Sequence, residues 1–158
     1  MILVCGEALY DLFLADRDPQ GVITIDAWPG GSPFNVAVGL ARLGHAVSFL
    51  SSISTDVFGE GLVGLLRREG VWDGYVRRSP APSTLSIVSA GPHGTPHYSF
   101  RGDGAADRMM LPADLPATIT GVSAIHVGSL ATVARPIPLP PPVTTATLPS
   151  SRPAITSA

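Results

Sequence analysis

Apolar positions along this chain come in short runs separated by turn formers, and their spacing switches between two periods. Met1 to Cys5 is a continuous apolar run, which predicts a short strand buried on both faces. Leu9 to Ala15 and Val22 to Trp28 predict two more strands, with the turn formers Asp16-Arg17-Asp18-Pro19-Gln20-Gly21 between them. From Ser32 the period changes. Phe34, Ala37, Val38, Ala41 and Leu43 follow at helical spacing, with Ser32 expected as N-cap, Pro33 at the first helical position and Gly44 at C′. Ala46 to Ser52 predicts a strand. Asp56 then caps a second expected helix to about Glu69, closed by Gly70, with Phe58, Leu62, Leu65 and Leu66 on one apolar face. Val71 to Arg77, Thr84 to Ala90, His97 to Arg101 and Ser123 to Ser129 complete the predicted strands.

Strand–helix–strand–helix–strand alternation predicts an α/β layer fold with a parallel sheet. The strand pairs at 9–28 and 84–101 do not alternate with helices and are expected to form a separate small antiparallel flap. No internal repeat is evident. Beyond Arg135 the periods vanish: of 16 prolines, nine lie in residues 1–134 and seven in the last 24 residues, while no glycine follows Gly128. That composition predicts a Pro-rich, disordered tail over 135–158.

The chain has 158 residues, 45% hydrophobic and 14% charged, with a formal net charge of −2. That length suits one domain with a real core. The charge balance argues against a nucleic-acid scaffold, and no apolar run reaches the ~18 residues of a membrane span. The lone Cys5 rules out a disulfide framework, and the four histidines lack metal-ligand spacing. A cytoplasmic protein without a metal site is expected. All ten basic residues are Arg.

The densest candidate chemistry is Gly30-Gly31-Ser32-Pro33-Phe34-Asn35-Val36-Ala37, at a turn entering a helix. Paired glycines let a ligand approach the backbone, and Asn35 can donate to and accept from a hydroxylated ligand. A tight turn and an ordinary helix start would also account for this segment. Asp11 is an acid inside an apolar strand run, which is costly unless it has partners or solvent. Two such anomalies beside neighbouring turns suggest one shared polar pocket. Gly59-Glu60-Gly61-Leu62-Val63-Gly64 matches the Gly-x-Gly-x-x-Gly dinucleotide pattern. The expected helix cap at Asp56 already precedes these glycines, which makes a Rossmann-type nucleotide module the weaker alternative.

Gly6-Glu-x-Leu-x-Asp11 followed by Gly30-Gly-x-Pro-x-Asn-Val-Ala-x-Gly-Leu-Ala-x-Leu-Gly44 resembles the N-terminal half of the PfkB/ribokinase family of carbohydrate kinases, its fructokinase branch most of all. The resemblance covers residues 1–134. It implies a truncated ribokinase-like three-layer αβα sheet with a small antiparallel β lid formed by strands at about 9–28 and 84–101. It further implies ATP-dependent phosphorylation of a sugar hydroxyl, with ATP and Mg²⁺ as requirements of the intact family member, neither supported by this chain alone. By the same resemblance, Asp11, Gly30, Gly31 and Asn35 would bind the sugar, with Tyr98, Phe100 and Arg101 contributed by the lid, which often mediates homodimerisation.

One departure is visible: Ser54 stands where the family usually has Gly, before Asp56-Val57-Phe58-Gly59. The family's Asp-Thr-x-Gly-Ala-Gly-Asp motif, with its catalytic base, has no counterpart in residues 102–158, so the chain alone is expected to be inactive. A frameshift or premature stop in a GC-rich gene would account for the change of composition near Arg135. The alternative function is a non-catalytic sugar-binding or interaction remnant that uses the same pocket.

Overall fold

The first apolar run becomes β1 (Ile2–Cys5), an inner strand of its sheet. The chain continues through β2 (Leu9–Arg17), β3 (Ile23–Gly30), α1 (Ser32–Arg42), β4 (Val47–Ser54), α2 (Val57–Arg68) and β5 (Trp72–Ser79). It ends with β6 (Thr84–Ala90), β7 (Pro96–Arg101) and β8 (Ala124–Val127). This computed structural model describes residues 1–90 and 95–129. The predicted Pro-rich tail at 135–158 therefore lies outside the described residues.

One sheet runs in the order β5-β4-β1-β8, with every pair parallel. Strand β4 is buried along its whole length. Both helices pack on one face of this sheet, where Phe34, Ala37 and Val38 of α1 and Leu62, Val63 and Leu66 of α2 meet Val4, Phe49 and Ile53. Phe34 and Phe49 meet edge to face at 5.9 Å, a geometry favoured by the ring quadrupoles. On the opposite face, Leu3, Cys5 and Leu50 are covered by Met110 and Val122. The segment after β7 carries only short 3-10 turns at Ala106–Arg108 and Pro112–Asp114. Of the three expected layers, the described residues thus supply the sheet and one helical layer. Burial raises the Cys5 thiol pKa to about 12, so it stays protonated and weakly nucleophilic at neutral pH.

The second sheet has the order β3-β2-β6-β7. Its two hairpins, β2–β3 and β6–β7, are antiparallel as expected. The hairpins join through a parallel β2–β6 pair, which an all-antiparallel flap did not anticipate. The reason is topological. Strands β2 and β6 each leave the same end of a parallel sheet, after β1 and β5 respectively, so they start side by side at Leu9 and Thr84 and run together.

The helix ends show what local sequence controls. Gly31, at φ 101°, takes the cap position of α1 and no side chain caps it. Ser32 is thus the first helical residue, and the expected Ser32 cap is displaced by one position. Glycine tolerates that φ, and a built Cβ would lie 2.8 Å from the Glu7 carbonyl oxygen. At the other end, Gly44 and His45 N–H groups bond back to Ala41 and Leu40 carbonyls, the double closure typical of a C′ glycine. Gly70 and Val71 close α2 in the same way.

Asp56 caps α2 as predicted, accepting from the Gly59 N–H at 2.8 Å. It also accepts from the Ser83 N–H and Oγ, both at 2.8 Å, and so ties α2 to the β5–β6 connection. Ser54 supports this turn, since its Oγ accepts from the Asp56 N–H at 3.0 Å. Burial alone would raise the Asp56 pKa, but the hydrogen bonds from Gly59 and Ser83 outweigh it and hold the carboxyl below its ordinary value.

Two predictions follow from these contacts. Asp56→Ala should lower unfolding stability by about 2 kcal/mol at pH 7, as read from urea midpoints. Because the folded pKa is depressed, the stabilisation from ionised Asp56 is present above the unfolded value of about 3.9 and lost as pH falls through the folded value. The gap between wild type and variant should therefore narrow only below about pH 4. A gap that stays constant down to pH 2.5 would contradict the assignment. Cys5 should resist thiol reagents in the native protein and react stoichiometrically in denaturant, and rapid native labelling would show that its burial is wrong.

Candidate functional site

In parallel sheets, ligands gather at the carboxyl ends of strands where the connections reverse direction. Here the chain moves from β1 to β4 and β5 on one side, while β8 pairs on the other. The reversal lies at β1–β8, and the residues leaving β1 are Gly6, Glu7 and Ala8. Gly6 has φ 151°, and a Cβ there would strike the Gly128 carbonyl and the Pro33 ring. The ends of β1 and β8 and the start of α1 therefore converge almost without intervening side chains.

Glu7 is only 2% exposed. Its carboxylate accepts from the Ser129 N–H at 2.9 Å and Oγ at 2.8 Å. Asp107, also buried, accepts from Thr84 Oγ1 at 2.6 Å. Burial raises its pKa, with Glu7 adding a smaller push in the same direction, against the Thr84 hydrogen bond and Arg108. These two acids sit where the lid sheet joins the core, and sequence reasoning assigned neither of them a role. Glu7 carried a legible sign, an acid immediately after a buried strand. Its partner, 122 residues away, carried none.

Strand register decides which candidates meet. Asp11 on β2 stands opposite Trp28 on β3 and Ser86 on β6, and Ser86 stands opposite Phe100 on β7. In the next row, Phe13 stands opposite Asp26 and Val88, and Val88 opposite Tyr98. Asp11, Tyr98 and Phe100 therefore share one face of the lid, with Phe100 two strands or about 10 Å from Asp11. Tyr98 and Phe100 stack at 6.3 Å. Arg101 pairs with Leu85 and falls on the opposite face. There its guanidinium bonds to Ser99 Oγ at 2.9 Å and to the Phe100 carbonyl at 3.2 Å. The lid register thus separates Arg101 from the other candidates, because neighbours along a strand point to opposite faces.

Gly30 and Asp11 are brought together directly. A Cβ at Gly30 would collide with Asp11 Oδ2 and approach its Cγ at 3.2 Å. Glycine here is the space into which the carboxylate fits. Asn35 is exposed on the first turn of α1, four residues after Gly31, whose carbonyl accepts its N–H at 2.9 Å. An open concavity of about 540 Å³ is lined by Asp11, Phe13, Asp26 and Trp28. Phe13, Asp26 and Trp28 are additions to the residues singled out from sequence.

The glycines of the dinucleotide-like pattern lie inside α2. A Cβ at Gly59 would strike the Ser54 carbonyl, and one at Gly61 the Tyr10 hydroxyl, so they permit close packing. The Asp56 carboxylate occupies the α2 N-terminus, where a phosphate would otherwise bind. Among the described residues, no group of three His, Cys, Asp or Glu side chains is placed to hold a metal ion. The glycine pattern and the α2 N-terminus therefore do not form a nucleotide site. No helix among them is long and apolar enough to cross a membrane.

A family model described as pfkB family carbohydrate kinase matches residues 1–133. A fructokinase from Rhizobium leguminosarum bv. trifolii is 35% identical over 136 residues, which is 86% of this chain and 41% of that protein. Among solved structures, fructokinase from Xylella fastidiosa superposes with TM-score 0.74 at 32% identity, over 80% of this chain and 40% of that one. A second structure from the same organism, fructokinase with bound ATP, gives TM-score 0.67 at 32% identity, over 73% and 37% of the two chains. The chain spans about two-fifths of the length of these relatives.

Gly30→Ala should leave the fold intact, since the clash falls on the movable end of Asp11. It should displace the Asp11 carboxylate, and so weaken about tenfold the binding of a hydroxylated ligand that this carboxylate holds. Calorimetry with fructose as probe and circular dichroism on the same samples check this, and an affinity equal in wild type and variant would exclude Asp11–Gly30 as a binding element.

Proposed function

Because the chain belongs to the pfkB family of carbohydrate kinases, we propose that it is the acceptor-binding half of an ATP-dependent sugar kinase, with a neutral ketose such as fructose as acceptor. One observation carries the reading: the Asp11 carboxylate is seated against Gly30 where the lid leaves the carboxyl end of the parallel sheet. An ionised carboxylate accepts from two sugar hydroxyls and fixes their orientation. Gly30 and Gly31 keep the adjoining backbone free of side chains, and Asn35 is exposed beside them for a further hydroxyl.

ATP as donor is supported by the family and by the ATP-bound fructokinase structure; Mg²⁺ would accompany it and supply charge neutralisation at the phosphates. The α2 N-terminus offers neither group a site. The contribution of Asp11, Gly30, Gly31 and Asn35 is to bind and orient the acceptor hydroxyl, and that of the lid is to limit its access to water. We assign no phosphoryl transfer to the chain by itself, since transfer rests on positioning and charge stabilisation around the donor.

The chain should bind fructose in calorimetry with ATP making no difference, and Asp11→Asn should weaken that binding at least about tenfold. ATP-dependent phosphorylation of fructose by the purified chain at about 1–100 per second would overturn the half-enzyme reading. Equal fructose binding by wild type and Asp11→Asn would overturn the site.

A further inference from the structure

The concavity at Asp11 has a second half that the motif resemblance does not reach. Strand β3 contributes Trp28 opposite Asp11 and Asp26 opposite Phe13. The result is a two-by-two checkerboard, acid beside ring in one row and ring beside acid in the next. Trp28 is 63% exposed and Phe13 44% exposed. Large rings left in water beside carboxylates at the wall of a concavity are unusual for a lid strand with no ligand to cover them. Among the described residues that line it, each is either an acid or a ring and none is a cation.

That combination matches a ligand which is itself two-sided. A sugar ring presents hydroxyls along its edge and C–H groups on its face. The hydroxyls suit carboxylate acceptors, and the C–H face suits an indole, which offers a large apolar surface at little cost in side-chain freedom. With no cation among the described lining residues, the two carboxylates disfavour an anionic ligand, because bringing a third negative charge alongside them is repulsive at short range.

The geometry points to Trp28 and Asp26 as further acceptor-binding residues: Trp28 is the platform on which the sugar ring lies, and Asp26 is a second hydroxyl acceptor that also excludes sugar acids. This rests on the proposed sugar-binding role of Asp11 and extends it to the opposite strand. The residues act by contact with the sugar, and neither serves as a proton-transfer group in this reading. Both are exposed on a lid strand, so replacing them leaves the core untouched.

The chain has two tryptophans, so Trp72→Phe leaves Trp28 as the sole indole reporter. In that background, fructose should shift Trp28 emission to shorter wavelength, while gluconate should not. Trp28→Ala should weaken fructose binding about tenfold by calorimetry, and Trp28→Phe, which keeps a ring, should stay within about threefold of wild type. Asp26→Asn should weaken fructose binding and narrow the preference for fructose over gluconate.

Fructose affinity unchanged in Trp28→Ala and Asp26→Asn, but lost in Asp11→Asn, overturns this inference and leaves the proposed function standing. No fructose response from the wild-type chain up to about 100 mM overturns both. Choline binding in preference to fructose would mark the rings and acids as a cation cage and overturn the assignment to sugars. An emission shift that depends on protein concentration and is indifferent to fructose would assign Trp28 to a contact between two copies of the chain, and would overturn it as well.

Discussion

The turn that carries the chain out of β1 governs where everything else can go. At Gly6 the backbone passes so close to the Gly128 carbonyl and the Pro33 ring that a single methyl group would not fit. The Gly6 N–H still reaches the Leu50 carbonyl at 3.3 Å, and the Gly128 N–H reaches the Cys5 carbonyl at 3.2 Å. One residue later, Glu7 accepts two hydrogen bonds from Ser129. Within two residues, β1 is fixed to β4, to β8 and to the start of α1. Leu9 can then begin the lid only beside Thr84, and Asp11 can stand only two residues further along the same face. A side chain at position 6 would push these elements apart and move the carboxylate with them.

The base of the lid is held by acids whose environments push them in opposite directions. Asp56 receives two backbone N–H donors and a hydroxyl, and these favour its ionised form over the cost of burial. Asp107 is more deeply enclosed, takes a hydroxyl from Thr84 and senses Glu7 nearby, so burial prevails and its carboxyl is held above the ordinary value. The balance between burial and donated hydrogen bonds decides the sign. The two acids tie different parts of the same junction. Asp56 joins α2 to the β5–β6 connection, and Asp107 joins the segment after β7 to the first residue of β6. The lid is thus anchored at its base, and the concavity lined by Asp11 and Trp28 opens on its β2–β3 hairpin.

Local features were legible wherever one short segment contains the whole cause. The apolar runs predicted the strands to within a few residues. The Asp56 cap and the C′ glycines Gly44 and Gly70 follow from backbone groups that each helix must satisfy within its own last turn. Asp11 and Gly30 were legible as anomalies, an acid in an apolar run and a glycine pair at a turn. The cap falls on Gly31 and not on Ser32, and the contact that keeps position 31 free of a side chain, the Glu7 carbonyl, comes from a segment distant in sequence. The parallel β2–β6 pair depends on two separate exits from one sheet, and no local pattern encodes it.

By itself the sequence determined the α/β alternation, the family, and the identity of the polar groups around the Gly30–Gly31 turn, since each is written in residue types at short, fixed spacing. Tertiary structure alone decided which groups face one another. Register places Trp28 against Asp11, sends Arg101 to the far side of the lid, and leaves Tyr98 and Phe100 on the near side. In a strand, one residue of offset reverses the face. The physical reason for the division is range: caps and turns are settled by neighbours along the chain, whereas a binding face is settled by hydrogen bonds between strands that meet only when the sheet forms.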